Sequence, residues 1–430
     1  MASASINPQP SEFFPLANTA PQTVDAGGFR LNSIDLLRGI VMVVMMLDHT
    51  RDFIHNAVFQ FDPVNPTVTN PALFFTRWIT HFCAPTFVFL AGTSIYLQSA
   101  RGKSKGSLSR FLLTRGLWLI FLEFSVVRLG AFFNFDLRFL LMMQVIWVLG
   151  ASMILMALLI HLPMWAISVF GFTLIFLHNK LDGIQVPFWQ GPGSPVPGYG
   201  EKLWMILHQP FGAFPVAGFP SPIIFVVYPL IPWVGVMAIG YVFGAVYQKN
   251  SAQRKRLLMI IGLIATGLFV LIRLTNIYGD PNGWSTQPRG LIYTVLSFLN
   301  TTKYPPSLLF LLMTLGPALL VLAWFESYNS TAPRGWRKFF ITFGRVPLFF
   351  YLLQWPTAHL ISLGLHFAFG KPTGWLFQTP MDWNNLPQTI GFNLVVVYLS
   401  WIAGVVLLYF VCRWFAGVKQ RRRDWWLSYL

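Results

Sequence analysis

Ile34-Asp35-Leu36-Leu37-Arg38-Gly39, the apolar run Ile40 to Leu47, and Asp48-His49-Thr50-Arg51-Asp52-Phe53-Ile54-His55 decide the reading of this chain. The stretch is an apolar helix long enough to enter a bilayer, with a charge early and an ionisable cluster at its far end. Ionisable side chains at membrane depth are costly, so each one marks a candidate functional site. Arg38 and His49 stand in R-x10-H spacing. On an α-helix that spacing places them about 20° apart around the axis and ~16 Å apart along it. One helix face thus presents a cation near one membrane surface and a titratable imidazole near the other. Such a layout suits a long anionic substrate held by its tail while its reactive end meets a base.

The 430 residues are 55% hydrophobic and only 10% charged, and apolar runs long enough to cross a bilayer recur throughout. The reading is an all-α, polytopic transmembrane helix bundle of about 10–11 spans. They lie near Ile34–Thr50, Leu73–Leu97, Phe111–Ala131, Phe139–Ile160, Met164–Leu177, Ile223–Tyr247, Leu257–Thr275, Tyr304–Phe325, Phe339–Phe367 and Thr389–Phe415. A further short segment falls at Leu291–Leu299.

The net charge of +16 collects in clusters that follow the second, sixth, eighth and tenth spans: Arg101 to Arg115, Lys249 to Arg256, Arg334 to Lys338, and Lys419 to Arg423. All four fall on one side, the positive-inside pattern, which places both termini in the cytoplasm. Basic residues that flank spans form no continuous face, so nucleic acid is excluded as a partner. Residues 1–30 are expected to be a disordered cytoplasmic tail, 31–417 one membrane domain and 418–430 a basic cytoplasmic tail. Cys83 and Cys412 sit in apolar spans and suggest neither a disulfide nor a metal site. The long connections, Asn179–Pro222 and Asn276–Lys303 among them, fall on the outer side, where long loops often carry function.

Asp48 and Asp52 are within one turn of His49, so either carboxylate can fix the tautomer of a general base there. The bland alternative pairs Asp48, Arg51 and Asp52 as interfacial anchors, with His49 a spectator. His81, in Arg77-Trp78-Ile79-Thr80-His81-Phe82-Cys83-Ala84-Pro85, is expected at the same depth as His49. The two histidines are read as an acid–base site, with no metal assigned. Glu123 and Arg128 read as a structural ion pair within the third span. Gln144 is a lone amide in an apolar run, either a helix–helix contact or a substrate contact. Lys303 is a cation at the outer mouth, and Arg345 lies early in the ninth span, as Arg38 does in the first.

Leu47-Asp48-His49-Thr50-Arg51-Asp52, Phe75 to Pro85, Phe87-Val88-Phe89-Leu90-Ala91-Gly92-Thr93-Ser94, Lys303-Tyr304-Pro305-Pro306-Ser307 and Gly344-Arg345-Val346-Pro347-Leu348-Phe349-Phe350-Tyr351 resemble the heparan-α-glucosaminide N-acetyltransferase catalytic-domain family and its bacterial members. The R-x10-H pair also resembles the hallmark of the wider transmembrane acyltransferase superfamily. The chain departs from the pattern: the lysosomal enzyme carries Asn at the place of His49 and has its catalytic His in the following loop, where only His55 could match and only with a gap, and bacterial relatives often carry His at the place of Gln354.

The resemblance implies transfer of an acetyl or other short acyl group from cytoplasmic acyl-CoA to a hydroxyl or amine of an extracytoplasmic, glycan-like acceptor. His49 would be the base, oriented by Asp52 or Asp48 and assisted by His81. Arg38, Arg345, Gln144, Lys303 and Arg77 would contact CoA or substrate. No permanently bound cofactor is implied; acetyl-CoA or another acyl-CoA is the donor. The expected setting is the bacterial inner membrane, with a homo-oligomer compatible with the sequence. The rival reading is a transporter or flippase for an anionic or sugar-containing solute, which discontinuous helices from an inverted repeat would favour.

Overall fold

The computed structural model describes residues 31–57, 60–135, 140–219, 221–329, 331–378, 389–422 and 424–429. The expected tail over residues 1–30 lies outside them. α1 (Asn32–Ile54) runs unbroken through both Arg38 and His49, so the helical spacing read from sequence holds along its full length. α2 (Pro71–Trp78) continues through a 3₁₀ turn at Ile79–Phe82 into α3 (Cys83–Ala100). α4 (Lys105–Leu122) passes through a π-helical turn at Glu123–Val127 into α5 (Arg128–Phe132).

β1 (Leu141–Met143), α6 (Val145–Leu159) and α7 (Met164–Leu177) follow. The long loop after α7 holds α8 (Tyr199–Leu207), β2 (Gly212–Pro215) and β3 (Ile223–Val226). The remaining helices are α9 (Leu230–Phe243), α10 (Ser251–Thr275), α11 (Leu291–Leu299), α12 (Leu308–Phe325), α13 (Gly335–Arg345), α14 (Pro347–Ala368) and α15 (Leu394–Arg421).

Seven helices among the described residues are both long and apolar enough to cross a membrane. α1 and the continuous α4–α5 rod are also long enough, but each carries five charged residues. At nine residues, α11 is too short to span. α10 and α15 turn Leu263, Ile264, Leu271, Leu399, Leu407 and Phe410 outward, each more than half exposed. Such apolar outer faces suit lipid rather than water. The chain is an integral, multi-pass membrane protein with a helical bundle.

The structure redraws three of the expected spans. The segments beginning at Phe139 and Ile223 open with strands, not helix: β1 pairs parallel with β3 (Leu141 opposite Ile224), and β2 pairs antiparallel with the other edge of β3. The ninth span is two helices, because Pro347 bars its predecessor from helical geometry and Val346 adopts φ −132°, ψ 50°. Arg345 therefore closes α13 instead of lying inside a membrane helix.

Small residues set the helix spacing. A Cβ on Gly39 of α1 would lie 1.8 Å from the Phe340 carbonyl oxygen, and one on Gly344 of α13 would lie 1.8 Å from that of Asp35. Backbones this close need glycine on both sides, as at other close crossings of membrane helices. The crossing also brings the chain next to Arg38 beside the chain next to Arg345. At the same end of the bundle Ser33 donates to Glu326 (2.9 Å), which also pairs with Arg254 (2.5 Å).

Candidate active site

The far end of α1 opens on a cavity of about 620 Å³. Arg51, Asp52 and His55 come from α1 and its exit, Arg77 from α2, His81 from the 3₁₀ turn, and Asn300 to Tyr304 from the loop before α12. Each wall has a local cause. Asn70 caps α2 by accepting from the Leu73 amide (2.9 Å), and Pro71 follows at the first helical position. The α1 exit is held against residues 391–393: the Asn56 amide donates to the Phe392 carbonyl (2.8 Å), and the Phe392 amide to that of Ile54 (2.7 Å). Gly391 has φ 72°, and a Cβ there would meet Asn56 Cα at 2.6 Å.

The Lys303 loop is fixed by two residues that the sequence reading missed. Arg273, at the end of α10 and 1% exposed, donates to the carbonyls of Phe298, Asn282, Ser297 and Asn300 at 2.6–3.1 Å. Asp280 accepts from the Thr302 amide (2.8 Å), the Thr302 hydroxyl (2.9 Å) and the Ser307 hydroxyl (2.6 Å). Their signal in the sequence was one arginine at the end of an apolar span and one aspartate in a turn, a pattern that interfacial anchoring explains equally well.

The electrostatics of the cavity are uneven. Asp48 is buried, pairs with Arg51 at 3.0 Å and accepts from Arg77; Asp52 pairs with Arg51 at 2.5 Å. Both aspartates are thus held by guanidinium groups, and neither hydrogen-bonds His49. This corrects the expected carboxylate–imidazole arrangement: the arginines offer stronger, charge-assisted partners. Lys303 differs. Its ammonium makes no hydrogen bond or ion pair among the described residues and lies 5.1 Å from the Tyr304 ring. Burial opposes ionisation of Tyr304, but Lys303 and Arg77 outweigh it and leave the phenol below its ordinary range.

His81 is 2% exposed, lines the cavity, and leaves Nδ1 without a partner. His49 also leaves Nδ1 unpartnered, but its ring packs 3.8 Å from Trp355 and is not among the cavity-lining residues. The two histidines expected to share a site therefore face different surroundings. His55 Nδ1 accepts the Ala57 amide (3.1 Å), and burial together with Arg51 pushes its pKa down to about 4. His359 stacks on Phe133 at 3.9 Å, and His366 bridges the Ser362 carbonyl (2.8 Å) and the Gly391 amide (3.1 Å), a structural role.

Arg38 lies at the other end of α1, donates to Ser94 (3.1 Å) and sits 3.6 Å from Asp35. Gln144 is not mid-helix. It precedes α6 as its N-terminal boundary residue, with its amide 3.7 Å from Met142 sulfur. The expected Glu123–Arg128 pair is replaced. Glu123 accepts from the Ile146 and Trp147 amides (3.0 and 2.8 Å) at the start of α6, whereas Arg128 donates to the Asn134 carbonyl (2.6 Å). The exposed amides of a helix N-terminus satisfy a carboxylate directly.

A polytopic helical bundle in which one helix runs from Arg38 to the residues that wall an ionisable cavity is a membrane protein with polar groups at both ends of that helix. The heparan-alpha-glucosaminide N-acetyltransferase catalytic family matches residues 30–273, more than half of the chain. The chain belongs to this family, which makes it a membrane protein of an acetyltransferase family. No curated protein matches it.

Proposed function

We propose that this protein transfers an acetyl or other short acyl group from cytoplasmic acyl-CoA to a hydroxyl or amine of an extracytoplasmic, glycan-like acceptor. The observation that carries this reading is α1: one unbroken helix with Arg38 near one end and, near the other, His49 within a turn of Arg51 and Asp52, which line the cavity. Arg38, joined by Arg345 through the Gly39–Gly344 crossing, holds the anionic part of CoA by charge-assisted contacts. The extended acyl-pantetheine arm then follows α1 outward. The acceptor occupies the outer cavity, where Lys303 makes no hydrogen bond or ion pair among the described residues and Arg77 is shared with Asp48.

His49 takes the proton from the attacking acceptor group, and His81 assists from the cavity wall. The acceptor oxygen or nitrogen bonds to the acyl carbon, the thioester C–S bond breaks, and CoA leaves as the thiol with the proton that the histidine took. A general base contributes roughly 10²–10⁴-fold in rate. The test is transfer of labelled acetyl from acetyl-CoA to a glycan acceptor by reconstituted protein. His49→Ala should lower transfer by about that range while leaving CoA binding intact. Arg38→Ala should weaken CoA binding, with partial rescue by Arg38→Lys, which supplies charge without the two-pronged geometry. Wild-type transfer in His49→Ala alongside loss in His81→Ala would move the base to His81.

A further inference from the structure

Away from the cavity, the end of α7 and the end of α8 bring together His178, Asp182 and His208. The first two lie in and just after a 3₁₀ turn at His178–Leu181, and His208 is the residue that ends α8. His178 Nδ1 is 3.4 Å from His208 Nε2, which is 3.7 Å from Asp182 Oδ1, and all three candidate ligand atoms lie within 4.8 Å of one another. Both histidines are 2% exposed. Asp182 is oriented from behind, since Asn179 donates to its Oδ2 at 2.8 Å, which leaves the buried Oδ1 without a hydrogen-bond partner. Trp204 stacks on the His208 ring at 5.4 Å.

Hydrogen bonding accounts for only part of this group: His178 reaches the backbone of Pro306 and His208 that of His178, but His178 Nε2 and Asp182 Oδ1 stay buried without partners. One nitrogen of His208 faces both neighbours, at separations beyond the usual ~2.7–3.2 Å of a hydrogen bond to nitrogen. A metal ion accounts for it better. Ligands at about 2.0–2.2 Å around a tetrahedral zinc ion stand about 3.3–3.6 Å from one another, close to the two shorter separations here. Two imidazoles and one carboxylate are a donor set for zinc and neighbouring late first-row metals, whereas calcium and magnesium prefer all-oxygen sites. Asn179 supplies the outer-shell hydrogen bond that commonly orients a ligating carboxylate.

We infer that His178, Asp182 and His208 bind one zinc-class divalent ion that cross-links α7 to α8. None of the three lines the cavity, so the ion acts as a brace. Its reach extends further through Asn179, whose Oδ1 accepts the Leu308 amide (3.0 Å) at the start of α12, directly after the Lys303 loop. A metal here would stiffen the outer loop layer beside the cavity wall.

The experiment uses full-length, tag-free protein in detergent. Wild type should retain close to one zinc per chain by elemental mass spectrometry. After stripping with a chelator, it should take up zinc in competition with a chromophoric chelator and show the visible absorption of tetrahedral Co²⁺. Zinc should also raise its thermal midpoint. His208→Ala should abolish all three responses. Should His208→Ala fail to fold, Asn179→Ala keeps every ligand and should weaken zinc binding by about 10–100-fold. His161→Ala, far from the cluster, should bind as wild type does. Absence of zinc uptake and of the Co²⁺ spectrum in stripped wild type would overturn the site, as would undiminished affinity in folded His208→Ala.

Discussion

Asp48 of α1 and Arg77 of α2 form a direct, largely buried ion pair, and Arg51 closes on the same carboxylate from one turn further along α1. The pair joins two walls of the cavity. Removing one partner of a buried pair leaves an uncompensated charge and costs about 3–5 kcal/mol. Asp48→Asn, nearly isosteric, should therefore markedly lower the thermal midpoint of detergent-purified protein. Adding Arg77→Gln should recover part of the loss, because the stranded cation is then gone. Strictly additive losses would show that the two residues do not act as a pair.

The Gly39–Gly344 crossing gives a second test. Within an exposed helix, Gly→Ala normally gains about 1 kcal/mol of helix propensity. At Gly39 the added carbon would sit 1.8 Å from a backbone oxygen, so the clash dominates and α1 must move away from α13. Gly39→Ala should destabilise the protein and weaken acyl-CoA binding at Arg38. Gly106→Ala, at a helical site with open space around it, should do neither. Equal thermal midpoints and CoA affinities for the two variants would refute the close-crossing argument.

His55 makes stability depend on pH. Its neutral ring accepts the Ala57 amide, and its folded pKa is pushed down to about 4 from an ordinary value near 6.5. Between those values the unfolded chain binds the extra proton and the folded chain does not. Stability therefore falls as the pH drops from about 6.5 to about 4. Thermal midpoints measured across this window should decline in wild type and decline less in His55→Gln. Identical slopes would remove His55 as a contributor.

Orientation can be read chemically. Cysteines introduced at Lys105 and Arg422 should resist an impermeant thiol reagent applied outside intact cells, while one at Ser194 should label. The native Cys83 and Cys412 are buried, at 4% and 0% exposed, and should stay silent. The opposite labelling would invert the topology and exchange the donor and acceptor faces.

The sequence by itself determined the elements whose cause is local. Apolar length located the seven long apolar helices found among the described residues, and the continuous helical stretch through Ile34–Ile54 placed Arg38 and His49 on one helix face. Both follow from hydrophobicity and helical period, which neighbours along the chain specify completely. Cysteine burial and the short extra helix at Leu291–Leu299 were legible for the same reason. The break at Val346 was also written locally, in Pro347, but the mostly apolar 29-residue stretch Phe339–Phe367 masked it.

Only the tertiary structure decided which charges meet. Asp48 and Asp52 lie within a turn of His49, yet guanidinium groups reach them first, one of them from a helix 29 residues away in sequence. Glu123 finds the amides of α6 rather than Arg128 five residues along its own rod. His178 and His208 meet although they are 30 positions apart in sequence, across a segment whose polar residues have no period to read. A buried ionisable group takes the strongest partner that packing brings within reach, and packing is set by the whole chain. The sequence therefore marked the ionisable residues placed among apolar ones, and the fold chose their partners.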